Sequence, residues 1–277
     1  MTDLEGKVAA VTGAGSGLGR AMALAFAREG MDLALADVDL ESLKNVVAEV
    51  EKIGVHCFSM KVDVSKEADV RAFCDRIENP WLVCNNAGVS PLGAVWENTA
   101  ADWQWILGVN LWGVIHGVRA FAPRLLSKNE GHIVNTASVA GLISPPGSGA
   151  YNVTKHAVVA LSESLVHDLR ERNSQVGVSV LCPAYVPTGI ADSERSRPKD
   201  LLNLNVKKSS AQEAKQQMLR KAVSSGRLSA DDIARAVVVA VKEDRFYILT
   251  HPRIKGAIRA RMEDILEERA PRDPLKL

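Results

Sequence analysis

Tyr151 and Lys155 stand four residues apart in a segment, 149–172, whose apolar periodicity predicts a helix, so the two side chains share one face. Ser138 precedes them, just past the short apolar run 132–135 that reads as a strand. A free tyrosine has a pKa of about 10 and is a poor base near neutrality, yet a neighbouring ammonium favours its phenolate. A drop of about two units asks for about 2.7 kcal/mol of preferential stabilisation of the anion, within reach of one close charge in a partly desolvated site. The phenol could then exchange a proton with a hydroxyl while Ser138 holds the same oxygen. Taken alone, Tyr-x-x-x-Lys is also the pattern of an ordinary solvated helix pair.

A place for a second reactant lies near the N-terminus. The stretch Thr12-Gly13-Ala14-Gly15-Ser16-Gly17-Leu18-Gly19 follows the apolar run 8–11 and opens a periodic segment to Arg28, which predicts strand, glycine turn and helix start. Glycine admits positive φ and close backbone approach, while the free N–H groups and positive end of the new helix attract a pyrophosphate. Gly13, Ser16, Gly17, Leu18 and Gly19 are therefore candidate contacts of a dinucleotide. The second strand run ends at Asp37, where a carboxylate can accept from both hydroxyls of an adenosine ribose and would repel a 2′-phosphate. That favours NAD over NADP, with a plain strand-end turn as the alternative role for Asp37. Asp63 and Val64 end the third run, and Asn85-Asn86-Ala87-Gly88 the fourth. Asp63 could bind the adenine amino group, and Asn86, Ala87 and Gly88 lie beside the adenosine; strand termination alone is the competing reading. With a nicotinamide in place, Tyr151 could take a hydroxyl proton while hydride leaves for the ring, whose positive charge adds to that of Lys155.

The elements that must position these groups follow from alternating short apolar and longer amphipathic runs. Strands are expected at 8–11, 33–36, 55–62, 81–84, 132–135, 178–181 and 246–249, with helices in most intervals. One helix is expected around 101–126, carrying Trp103, Ile106, Val109, Trp112 and Val114 on a near-helical spacing, and another near 254–268. The predicted fold class is α/β: a single-domain, Rossmann-like, doubly wound parallel sheet of about seven strands with helices on both faces, over residues 1–277. Residues 189–226 break the rhythm and read as a substrate lid, and 251–277 as a helical tail. In the lid, Arg195, Arg197 and Lys199 could meet an acidic substrate or could simply be solvated.

Composition narrows the partners. With 47% hydrophobic residues, 24% charged residues and a net charge of +1, the 277-residue chain can bury one large core and has no bulk attraction to nucleic acid or anionic membrane. No apolar run reaches the roughly 18 residues of a membrane span, and the polar start Met1-Thr2-Asp3 favours a cytoplasmic protein. Cys57, Cys74, Cys84 and Cys182 form no CxxC pair and no histidine spacing suggests a metal, so the thiols read as buried small hydrophobes in a reducing compartment and no metal is expected.

In their order along the chain, the glycine turn, Asp37, Ser138 and the Tyr-x-x-x-Lys pair resemble the short-chain dehydrogenase/reductase family over about residues 5–250. The resemblance implies that 12–19 is the TGxxxGxG motif, 85–88 the NNAG motif, and Asn110, Ser138, Tyr151 and Lys155 a catalytic tetrad. It implies that Asn110 sits at a local distortion of its helix and holds a water in a proton relay, and that Lys155 meets the nicotinamide ribose. It implies too that Pro183-Ala184-Tyr185-Val186-Pro187-Thr188 lies over the nicotinamide, with the Val186 backbone at the carboxamide and the Thr188 hydroxyl at the carboxamide or pyrophosphate. Pro183-Ala184 departs from the usual Pro-Gly, so a slightly different turn is expected there. A homodimer or homotetramer built on the long helices around Trp112 and Leu161 is implied as well.

The expectation is an NAD-dependent oxidoreductase interconverting a secondary alcohol and a ketone. Its pocket should be lined by 89–96, 139–149, Tyr185 and the lid; Leu92, Val95, Trp96, Leu142, Ile143, Pro145 and Pro146 suggest a largely apolar substrate. An NADPH-dependent carbonyl reductase and a non-catalytic NAD-binding regulator are the alternatives. A hydrolase triad of Ser138, His156 and Asp168 lacks the G-x-S-x-G elbow.

Overall fold

Runs of small and β-branched apolar residues become central strands buried on both faces, with partly exposed strands at the two edges. β1 (Val8–Thr12), β2 (Asp32–Asp37), β3 (Cys57–Lys61), β4 (Pro80–Asn85), β5 (His132–Thr136), β6 (Gly177–Leu181) and β7 (Tyr247–Ile248) form one sheet in the order β3-β2-β1-β4-β5-β6-β7. Every pairing is parallel. This computed structural model describes residues 2–204 and 209–276. The strand order reverses between β1 and β4, which opens a crevice at their carboxyl ends. β3 and β7 are shorter than their apolar runs predict: parallel pairing with β2 is confined to 57–61, and with β6 to two residues.

Helices cover both faces. α1 (Gly17–Arg28) is rich in alanine, which lets it pack closely against α8 (Ala230–Lys242), whose Ile233, Ala234, Val237, Val238 and Val241 make one buried stripe. α2 (Leu40–Glu51) completes that layer, with Asp39 capping its first turn by accepting from the N–H groups of Glu41 and Ser42. On the opposite face α3 (Glu67–Asp75), α5 (Gly113–Lys128) and α6 (Gly149–Glu171) bury Phe73, Phe121, Leu125 and Leu169.

The helix expected around 101–126 is continuous but not uniform. α4 (Ala100–Ile106) passes through a π-helical segment, Leu107–Trp112, into α5. The lid region is more regular than its composition suggests. Two 3₁₀ segments, Gly189–Ser196 and Lys199–Leu201, are followed by α7 (Ser210–Ser224), started by reciprocal capping between Ser209 and Gln212 and carried by good helix formers. Residues 205–208 of the expected lid, including the start of its polar run at Lys207, lie outside the described residues. α9 (Ile254–Leu266) follows β7. Among the described residues no helix is long and apolar enough to cross a membrane.

Candidate functional site

The glycine turn is set by backbone geometry that other residues resist. Gly13 and Gly17 have φ of 64° and 53°, and a Cβ on Gly13 would stand 2.8 Å from the Ala87 Cα. Gly19 serves packing: a Cβ there would lie 2.0 Å from the Gly13 carbonyl oxygen, so α1 can start against the turn only because the side chain is missing. Gly19→Ala is expected to cost about 1–3 kcal/mol of stability through this overlap, read as a lower melting temperature. An unchanged melting curve would show that the helix start moves freely. Ser16 makes no side-chain cap, which leaves the first-turn N–H groups of α1 facing the crevice.

Thr12 ties this turn to the end of β4. Its Oγ1 donates to the Cys84 carbonyl at 3.3 Å and accepts from the N–H groups of Asn86 and Ala87 at 3.0 and 3.2 Å. The Asn86 amide donates to the Thr12 carbonyl at 3.0 Å and accepts from Thr136 Oγ1 at 3.3 Å. Asn86 therefore spends its side chain binding three strand ends together.

These ends surround a cleft of about 1210 Å³. At one end it is walled by Asp37, Asp63 and Val64, and by Ala87 and Gly88. The Asp37 carboxylate accepts from the Gly15 N–H at 2.8 Å and the Asp39 N–H at 3.0 Å, so it is fixed at the rim. Asp63 closes its own turn by accepting from the N–H and hydroxyl of Ser65 at 3.1 and 2.6 Å. In the middle stand Gly13, Ser16, Gly17 and Leu18, faced by Pro183, Val186 and Thr188. Together with Gly15 these surfaces fit a dinucleotide: glycines at the wall, helix N–H groups at the centre and a held carboxylate at one end.

At the other end Ser138, Tyr151 and Lys155 meet. Ser138 lies two residues past β5 and accepts from the Ala140 N–H at 3.1 Å, while donating weakly to the Pro183 carbonyl at 3.3 Å. Lys155 is buried and donates to the Thr136 carbonyl at 2.8 Å, with its Nζ 5.6 Å from the Tyr151 ring centre. Burial pushes the Tyr151 phenol up to about 12, against a hydrogen bond from Ser138 that pulls it down. Burial likewise draws Lys155 down to about 8. The expected depression of the phenol is thus not produced by the protein alone, because desolvation of the phenolate outweighs the Ser138 hydrogen bond.

Two sequence candidates lie off the cleft wall, Gly19 and Asn110. Asn110 occupies the π-helical segment, fully buried; its Oδ1 accepts from the Val89 N–H at 2.8 Å and its Nδ2 donates to the Val89 carbonyl at 2.9 Å. With the amide so committed, only its main chain is left to hold a water, and the wider turn alters which carbonyls are paired. Ala184 avoids the left-handed backbone conformation that would call for glycine, and its N–H donates to His251 Nδ1 at 3.2 Å. The expected rearrangement at Pro183-Ala184 therefore brings no strain. His251 comes from beyond β7, and only the fold brings it to Ala184 at the edge of the site.

The expected substrate pocket differs in its lining. Leu92, Pro145 and Tyr185 line it, joined by Leu201, Leu219 and Val223 from the segment 189–226. Leu142, Ile143 and Pro146 do not, and Val95 and Trp96 are exposed, Trp96 by 86%. The loop carrying Val95 packs its Cγ2 and backbone over Gly149, which turns Trp96 outward. Of the lid cations, Arg197 is a clamp. It donates to Asp102 at 2.6 Å and Glu194 at 2.7 Å and lies 4.1 Å over the Trp105 ring. His156 directs Nδ1 to the Asn152 carbonyl at 2.9 Å instead of Ser138, so the hydrolase triad does not form. Among the described residues no group of three potential ligands could hold a metal.

A family model described as short chain dehydrogenase matches residues 7–199. A crystal structure of a short chain dehydrogenase/reductase from Burkholderia phymatum in complex with NAD is 51% identical, covers 100% of both chains and superposes with a TM-score of 0.97. The CLA biosynthesis dehydrogenase/reductase of Lactiplantibacillus plantarum is 32% identical over 98% of this chain and 97% of its own length. The C alpha-dehydrogenase of Sphingobium sp. is 31% identical over 98% of this chain and 89% of its own.

Proposed function

The chain belongs to the short-chain dehydrogenase family, and from that membership and its cleft we propose an NAD-dependent oxidoreductase that interconverts a secondary alcohol and a ketone. The observation that carries this reading is the placement of Ser138, Tyr151 and Lys155 in the same cleft as the glycine turn and Asp37. When bound, the dinucleotide supplies a carbon that accepts or returns hydride. The protein's own part is to hold both reactants and move one proton.

In that part Ser138 Oγ donates to the substrate oxygen and gives up its long bond to Pro183. The Tyr151 phenol oxygen takes the hydroxyl proton during oxidation and returns it during reduction. Lys155, held by the Thr136 carbonyl, presents its remaining donors toward Gly88 and the nicotinamide ribose, and its charge supports the phenolate. Gly13, Ser16, Gly17 and Leu18 cradle the pyrophosphate; Asp63 and Val64 flank the adenine, and Ala87 and Gly88 the adenosine; Val186 and Thr188 meet the carboxamide. Asn86 and Gly19 support this site without touching the cofactor through their side chains. Asn110 offers its main chain to a relay water.

We assign the apolar end of the cleft to the substrate, and 189–226 to the lid that covers it. The chain is read as a cytoplasmic homodimer or homotetramer, with half-exposed Trp112 and Val153 on the self-association helices. The crystal structure with NAD of the relative from Burkholderia phymatum supports the cofactor. Asp37 argues against the NADPH reading, because its fixed carboxylate would face the added phosphate. Asp37→Ala should therefore lower the NAD to NADP ratio of kcat/KM by at least ~10-fold, the size of one close charge interaction. An unchanged ratio would remove Asp37 from cofactor selection.

A further inference from the structure

Arg195 belongs to the 3₁₀ segment Gly189–Ser196, on the lid side of the cleft wall. Its Nη1 donates to the carbonyls of Gly189 at 2.8 Å and Asp192 at 3.0 Å, which folds the guanidinium back over Gly189. A Cβ on Gly189 would lie 2.9 Å from Nη2, so the absent side chain makes the room that the guanidinium fills. Gly189 follows Thr188, and Thr188 abuts the glycine turn: a Cβ on Gly17 would lie 3.2 Å from Thr188 Cβ. A continuous line of contacts thus runs from the guanidinium to the first residue of α1.

Two neighbouring guanidinium groups in this region are otherwise engaged. Arg197 is held by Asp102 and Glu194, and Arg220 by Asp192. Among the described residues Arg195 has no carboxylate within ion-pair distance. The field of Arg195 is still felt across the cleft at Asp39, whose carboxyl is held below its usual range first by the Ser42 hydroxyl and last by this guanidinium. The carboxylate of Asp39 is itself occupied in capping α2. A positive charge therefore lines the cleft beside Gly189, one residue beyond the Thr188 that abuts the start of α1, with Nη2 and Nε making no hydrogen bond to the described residues.

We propose that Arg195 binds the pyrophosphate of the dinucleotide, so that the lid grips the cofactor directly as well as covering the substrate. This rests on the dinucleotide reading above. Opposite the N–H groups of α1, a guanidinium presents the fork geometry that phosphate oxygens accept. Lid order and cofactor occupancy would then be linked, since the segment carrying Arg195 is anchored two residues later by Arg197.

The test compares wild type, Arg195→Gln and Arg195→Lys by NADH fluorescence titration, with ADP-ribose and adenosine as competitors and NADPH in parallel. The expected result is a Kd for NADH and for ADP-ribose raised about 10-fold in Arg195→Gln and partly restored in Arg195→Lys. Adenosine affinity should be unchanged, and the difference should shrink at high salt. Unchanged NADH and ADP-ribose affinity with a raised KM for the alcohol would overturn the proposal and turn Arg195 toward the substrate. A loss confined to NADPH would overturn it in favour of a 2′-phosphate contact. Failure of wild type to bind NADH or NADPH would reject the dinucleotide reading itself, a result separable from every variant effect.

Discussion

Tyr151→Phe should reduce turnover by roughly 10²–10⁴-fold while leaving the Kd for NADH within about twofold, because it removes the proton carrier and keeps the ring. The pH profile gives a second readout. Burial holds the phenol up at about 12 and Lys155 down at about 8 before any cofactor binds. Oxidation uses the phenolate, so its rate should climb with pH, close to tenfold per unit below the apparent pKa; reduction uses the phenol and should fall only above that pKa. The positive ring of NAD stabilises the phenolate and should bring the limb well below 12. Lys155 Nζ stands 5.6 Å from the Tyr151 ring centre, so the limb should belong to the pair. Tyr151→Phe should erase it. A variant that kept both its rate and the alkaline limb would assign the proton transfer to another group, and loss of NADH binding would mean a structural role for the tyrosine.

Arg197→Met should destabilise the protein by about 3–5 kcal/mol, because it leaves the buried Asp102 carboxylate without its guanidinium. Asp102 is 9% exposed at its side chain and also accepts from the Thr99 N–H at 2.9 Å and the Asn203 amide at 2.9 Å. Burial pushes its carboxyl up, and the Thr99 N–H and Arg197 together outweigh that, so it stays ionised. The double variant Asp102→Asn, Arg197→Met should recover much of the loss, since the neutral amide can still accept from Thr99. Denaturant unfolding of wild type and the two variants measures this directly. A single variant as stable as wild type would mean that the lid clamp contributes nothing to the fold. If the double variant were no more stable than the single, the loss would be one of packing against Trp105 and not of an unpaired charge.

Much of the architecture was legible because burial leaves a pattern. Short runs such as Val8–Val11, bounded by a glycine turn, read as strands covered on both faces, and their alternation with amphipathic segments leads to a doubly wound sheet. The glycine turn was legible because few residues other than glycine suit the backbone at Gly13 and Gly17. The helical nature of 210–224 was not, since its polar residues hide a helix that is set by a cap and by packing. Gln216 reaches the Ala191 carbonyl and Arg220 pairs with Asp192, contacts between distant parts of the chain. The pocket wall was read by proximity along the chain, which placed Trp96 inward; the path of its loop turned it to solvent.

By itself the sequence determined the doubly wound parallel sheet and which residue types could cradle a dinucleotide or move a proton, since these depend on periodicity and local backbone rules. Only the tertiary structure decided how those groups are charged and shared. The phenol of Tyr151 is raised by the surroundings that bury it, Asn86 and Asn110 spend their amides on neighbouring strands and loops, Arg197 becomes a clamp and Arg195 is turned to the cleft. Each of these outcomes follows from desolvation and from hydrogen-bond partners far apart in the chain, which periodicity does not encode.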